Sequence, residues 1–134
     1  MPTSKIEYLG NLRTKCTHLK SGVEIVTDAP VDNNGKGESF SPTDLVATAY
    51  VSCMLTIIGI YCESHDIQFD YAVATVNKLM ESNPRRIGSL EIEIDFTKNN
   101  WDESIQKRVR NAGEKCPVAK TVAEGVEISF VYQF

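Results

Sequence analysis

The sequence predicts an α+β fold built around one long, nearly uncharged helix, and three observations carry that expectation. Residues 45–62, LVATAYVSCMLTIIGIYC, contain no charged side chain and are apolar nearly all round, which is the pattern of a helix that must be covered on every side. In SLEIEIDF, Leu90, Ile92, Ile94 and Phe96 alternate with Glu91, Glu93 and Asp95, marking a strand with one wet face. Strand-like pieces come first, then the helix, then more strands and late helices, which together give α+β rather than α/β.

At 134 residues the chain is expected to be a single domain, 1–134, with room for a real core. Its 42% hydrophobic and 24% charged residues are an ordinary globular balance. Lys and Arg number 14 against 18 Asp and Glu. The resulting charge of −4 disfavours nucleic acid as a partner, because displacing counterions from phosphate needs a basic face. The opening MPTSKIEYLGNLR has neither a basic n-region nor an apolar h-region, so no secretory leader is expected. Four cysteines in such a chain read as cytosolic thiols rather than a disulfide framework, which implies a cytoplasmic protein.

Each element has its local signal. Residues 6–9, 12–18 and 23–28 are strand-like and separated by the turn residues Gly10, Asn11, Ser21 and Gly22. Residues 29–40, APVDNNGKGESF, form a Gly/Asn-rich loop. The helix opens with Ser41 as N-cap, Pro42 at the first position and Asp44 near the positive end of the dipole. Running from 42 to about 65, it would span roughly 36 Å. Thr48, Ser52, Thr56 and Gly59 dilute it, and its flanks carry Asp44, Glu63 and Asp66 with no nearby Lys or Arg, so a buried core helix is expected and not a membrane span. The rest of the chain is thin cover for it, so a second copy is expected to complete its burial.

Two long strands follow at 71–80 and 88–97, joined by the turn NPRR at 83–86. Trp101, Ile105, Val109 and Ala112 mark an amphipathic helix capped by Asn99 or Asn100. Cys116-Pro117 opens a short helix expected to end at Gly125, and VEISFVYQF closes the chain as a strand.

Thiols invite a metal, but no Cys-x-x-Cys pair exists and the only histidines are His18 and His65, so no metal site is expected. Gly35-x-Gly37 lacks the Lys-Ser/Thr of a phosphate loop and the third glycine of a dinucleotide turn, so no nucleotide cofactor is expected either. Cys116 stands at a helix N-terminus next to Lys115, where unsatisfied N–H groups would favour a thiolate. Cys53 lies mid-helix, where nothing local lowers its pKa. Read locally, each cysteine also fits a structural use: Cys53 as a small buried hydrophobe, Cys116 as a weak cap.

The surroundings of both cysteines resemble one family. GESFSPTDLVATAYVSCMLTIIGI at 37–60, followed by KCPVAKTV, is similar to osmotically inducible protein C and the organic hydroperoxide resistance proteins. The shared features are the Pro-acidic-Leu helix start, the small-residue run, a cysteine nine positions after Asp44, and Cys-Pro-Val-Ala-Lys opening a late helix. YLGNLR with its following strand, the TDAP segment and the paired long strands fall in family order, so the resemblance covers essentially the whole chain. It implies an intertwined homodimer of α+β subunits, with antiparallel sheets around buried central helices and with sites at the dimer interface. It also implies a thiol-dependent peroxidase acting on organic hydroperoxides, with Cys53 attacking and Cys116 resolving. An external dithiol, of lipoyl type in the hydroperoxide-resistance branch, would reduce the resulting disulfide. Arg13 matches the early-strand arginine that stabilises the thiolate and orients the peroxide.

The family's catalytic glutamate, ten positions before the attacking cysteine, falls on Thr43. Glu38 is the expected substitute, with Asp44 the other candidate. Cys16, Cys62, His18 and His65 match neither cysteine motif and are expected to be structural, while Tyr50 either lines a substrate pocket or packs the core. Two alternatives to the enzyme stay open: a non-catalytic dimer of this fold that binds a small apolar ligand, and a redox sensor.

Overall fold

A computed structural model describes residues 1–122 and 124–134. The chain divides into two compact units, Met1–Val46 and Ala47–Phe134, each with its own three-stranded sheet.

In the first unit, β1 (Ser4–Gly10), β2 (Arg13–His18) and β3 (Glu24–Asp28) form an antiparallel meander. The first turn needs left-handed backbone at Gly10, Asn11 and Leu12 in succession, and Gly10 accepts it without strain. Residues 29–40 then fold back on the end of β3. Gly35 N–H donates to Pro30 O at 2.9 Å and Gly37 N–H to Ala29 O at 3.2 Å. Gly35 lies so close to the Ala29 carbonyl that no side chain fits there. This fold-back returns Phe40 O to the Asp28 N–H at 3.0 Å. The start of α1 (Pro42–Ser64) follows as expected. Ser41 Oγ accepts from Asp44 N–H and Asp44 Oδ2 accepts from Ser41 N–H, both at 3.0 Å. These reciprocal bonds satisfy two backbone donors of the first turn.

In the second unit α1 packs a stripe of Ala47, Tyr50, Val51, Met54, Ile58 and Cys62 into the core. The inward residues of β5 (Arg86–Asp95), Leu90, Ile92 and Ile94, join the same cluster with Phe96. β5 pairs antiparallel with β4 (Val73–Glu81) and parallel with β6 (Glu127–Gln133). The alternation of SLEIEIDF is thus realised, with Glu91 and Glu93 exposed on the outer face. Between β5 and β6 run α2 (Glu103–Gly113) and α3 (Pro117–Thr121). Where α2 ends, a Cβ on Gly113 would stand 2.8 Å from Ile58 Cδ1, so the missing side chain permits the close approach of α2 to α1.

Several expectations need correction. The sheets are not all antiparallel, because residues 96–126 supply a crossover long enough for β6 to return parallel to β5. As expected from the thin cover, the central helix is not buried all round within the chain: Ala49, Ser52, Thr56 and Ile60 on its other side are exposed. Although α1 is long and apolar enough to cross a membrane, its buried stripe belongs to the core cluster. The cap of α2 is Asp102, whose side chain accepts from Ile105 N–H at 2.9 Å. Asn99 instead accepts from Asp70 N–H and donates to Tyr71 O, both at 2.8 Å. Trp101 is buried ahead of the helix, with Nε1 donating to Gln68 O at 2.9 Å, which moves the helix start beyond it. Helix α3 stops at Thr121, short of Gly125, whose φ of +85° lies outside helix; Ala123 lies outside the described residues.

Replacing Asp102 by Ala removes one capped donor of α2, and urea unfolding should report a loss of about 1 kcal/mol.

Candidate active site

The first unit holds a cation that is fixed at two points. Arg13 and Asp28 are directly opposite across β2 and β3. Arg13 Nε donates to Asp28 Oδ1 at 2.7 Å and Nη2 to Oδ2 at 2.8 Å. The Asp28 side chain is 3% exposed against 36% for Arg13, so a buried carboxylate holds a guanidinium that still reaches solvent. Hydrogen bonding from Arg13 holds the Asp28 carboxyl below its ordinary range, although burial opposes the shift. The same bonds push the guanidinium up. Such two-point, charge-assisted pairing fixes orientation as well as charge. Asp28 also accepts from Glu38 N–H at 3.2 Å, so the loop is tied to the same carboxylate.

Glu38 adds a weaker contact, its Oε2 standing 3.4 Å from Arg13 Nη2 on a side chain that is 62% exposed. Asp44 turns its carboxylate to the helix cap, and Thr43 Oγ1 lies 3.2 Å from Ser41 Oγ. Asp28 was missing from the sequence-based site. Its signal was present in TDAP, but a cross-strand partner is visible only once the register of β2 and β3 is known. Arg13 Nη1 makes no hydrogen bond to any described residue.

The second unit holds the thiols. Cys53 lies half-buried on α1, while Cys116 is fully buried at the N-cap of α3, its sulfur accepting from Ala119 N–H at 3.4 Å. Cys53 packs against the core cluster that contains Cys116, and the two thiols influence each other. The expectation that the helix end lowers the Cys116 pKa is overturned. Burial pushes the thiol up and outweighs the Ala119 N–H, and Cys53 pushes in the same upward direction. Of the remaining cysteines, Cys62 is buried and its thiol is pushed up by that burial. Cys16 sits on β2. His18 bonds to Ser21 in a turn, and His65 stacks on Tyr61 after the end of α1. Tyr50 is a core residue, 4% exposed.

With this geometry in hand, the chain can be set beside known proteins. The family model for OsmC-like protein matches residues 35–131. A crystal structure from Psychrobacter arcticus 273-4, provisionally named as an osmotic stress induced and detoxification response protein, is 47% identical. It covers 99% of this chain and 96% of its own, with a TM-score of 0.94. The chain belongs to the OsmC-like family. Fold similarity within it persists at low identity. The organic hydroperoxide resistance protein OsmC of Legionella pneumophila aligns over 100% of this chain and 98% of its own at 14% identity, TM-score 0.76. OhrB of Bacillus subtilis, an organic hydroperoxide resistance protein, aligns over 98% of each chain at 16% identity, TM-score 0.69. No curated protein matches the chain.

For this OsmC-like protein the buried Asp28 carboxylate makes a checkable contribution to stability. Its folded pKa lies below its unfolded value, so its stabilising effect is complete above the unfolded value of about 3.9 and fades as pH falls through the folded one. Asp28→Asn should therefore lower the urea midpoint at pH 7. The gap to the parent protein should narrow steadily below about pH 4.

Proposed function

We propose that this chain, as a single OsmC-like domain in a cytoplasmic homodimer, is a thiol-dependent peroxidase that reduces organic hydroperoxides through a Cys53–Cys116 disulfide. The observation that carries the reading is that the half-buried Cys53 of α1 packs against the same core cluster that seals Cys116, where the two thiols influence each other. Membership of a family that includes organic hydroperoxide resistance proteins supports a redox role related to peroxide reduction.

The Cys53 thiolate attacks a peroxide oxygen, the O–O bond breaks, and the alcohol leaves with a proton. Cys53 is left as a sulfenic acid. Cys116 sulfur then displaces hydroxide from it, giving the disulfide and water, and an external dithiol, such as a lipoyl group, restores both thiols. The half-exposed setting of Cys53 gives peroxide access, whereas full burial keeps Cys116 neutral until its partner is oxidised. The family resemblance gives Arg13 the role of serving the thiolate and the peroxide, and within its own unit it is anchored by Asp28 and steadied by Glu38. Its unengaged Nη1 suits that role, because the other donors are committed to carboxylates. A second copy would cover the exposed side of α1, which carries Val46 and Ile60 among small residues.

The deciding experiment is non-reducing mass spectrometry after a slight excess of cumene hydroperoxide. The expected result is a loss of two hydrogens, localised to the peptides carrying Cys53 and Cys116. An unmodified mass would overturn the enzyme and favour a binding role for the same fold. Under turnover with a dithiol, Cys53→Ser should abolish peroxide consumption, while Cys116→Ser should give one burst and then stop. Arg13→Ala should slow the peroxide step by about 10- to 100-fold, the range for one lost charge-assisted hydrogen bond.

A further inference from the structure

The second unit has a cleft that the thiol chemistry does not use. Phe130, Tyr132 and Phe134, at every second position, lie on one face of β6 and its end, the edge of the sheet. Their rings run nearly parallel, 5.7 Å and 6.0 Å apart between centroids, and all three are only half-buried. Helix α2 turns Val109 and Gly113 to the core. Over the aromatic strip it presents instead a polar face at spacings of three, four and seven: Glu103, Gln106, Lys107 and Arg110. Apolar rings under a polar helix face leave an open cleft of about 450 Å³, within the roughly 300–1,000 Å³ of small-molecule sites.

The charges at this cleft select a ligand class. Arg110 holds its guanidinium carbon 5.8 Å from the Tyr132 ring centroid, a cation–π contact that fixes the cation at the rim of the strip. Neither Arg110 nor Lys107 forms an ion pair among the described residues, although the chain as a whole carries a charge of −4. The acid at Glu103 offsets one of the two cations, so the cleft is left with about one positive charge. Other polar groups here are already engaged: Tyr132 Oη donates to Glu114 Oε2, and Gln106 Nε2 to Trp101 O, both at 2.8 Å. We infer that the cleft between α2 and β6 binds a small aryl-alkyl monocarboxylate, with its ring on the Phe130–Tyr132–Phe134 strip and its carboxylate on Arg110 and Lys107. The strip supplies apolar area and ring contacts, and the guanidinium supplies charge-assisted hydrogen bonds to the carboxylate.

The test titrates the protein with 3-phenylpropionate and, in parallel, with the neutral 3-phenylpropanol, by calorimetry and by tryptophan emission. Trp101 is the single tryptophan, and its ring centroid stands 6.3 Å from that of Phe134, so its emission reports occupancy of the strip. The acid should bind saturably and the alcohol about tenfold or more weakly, the loss expected for one charge-assisted hydrogen bond. Arg110→Ala, a change at an exposed residue outside the peroxide scheme, should weaken the acid by about tenfold and leave the alcohol unchanged. Glu103→Gln removes the like charge and should tighten the acid by about twofold. Equal affinity for acid and alcohol, an Arg110→Ala protein that binds the acid as the parent does, or no saturable signal by either method would overturn the site. None of these readouts depends on peroxide reduction.

Discussion

The constraint on which the second unit depends is that α1 is largely apolar around its circumference while one small sheet and two short helices cover only one side of it. The side carrying Ala47, Tyr50, Val51, Met54, Ile58 and Cys62 takes all the cover that β5 and the residues around it provide. At roughly 25 cal/mol per Å² of apolar surface removed from water, that side fixes where the helix lies. The other side is left with small residues, Ala49, Ser52, Thr56 and Gly59, and isolated large ones such as Val46 and Ile60. Cys53 falls at the border between the two sides, which is why it is half-exposed. A position one residue either way would place the sulfur fully in the core or fully on the surface.

Much of this was legible because local signals and tertiary demand agreed. The cap at Ser41 and Asp44 and the start at Pro42 fix the beginning of α1, and the alternation of β5 fixes which side chains face inward. What escaped was set by neighbours distant in sequence. Asp28 is a plain turn acid until β2 and β3 pair and bring Arg13 opposite. The cap of α2 moved to Asp102 because Trp101 is taken into an aromatic cluster with Phe69, Phe96 and Phe134. The helix-end argument for an acidic Cys116 failed on magnitude. Helix α3 is only five residues long, and one N–H bond to sulfur does not offset the loss of water around a fully buried thiol.

That failure changes what each cysteine is suited to do. A thiolate exposed to solvent reacts with many oxidants, whereas a neutral buried thiol reacts with few. Sealing Cys116 therefore restricts it to partners brought beside it, and Cys53 is the thiol packed against the same cluster. The cost is that a buried thiol must find somewhere to send its proton.

Thr43, at the place of the family glutamate, looks at first like the loss of the carboxylate that would hold the arginine. The geometry around Arg13 argues otherwise. A guanidinium needs two parallel bonds to be held in orientation, and a single carboxylate in line with its Nε edge supplies both. Asp28 occupies that edge from the neighbouring strand, with its side chain 3% exposed. It is also held in place by Glu38 N–H, so the loop that carries Glu38 and the strand that carries Arg13 share one anchor. With Nε and Nη2 spoken for, the cation points its remaining donors away from its own support. The carboxylate that orients the cation has thus been supplied by β3, and position 43 is released to serve the helix start, where Thr43 lies against Ser41.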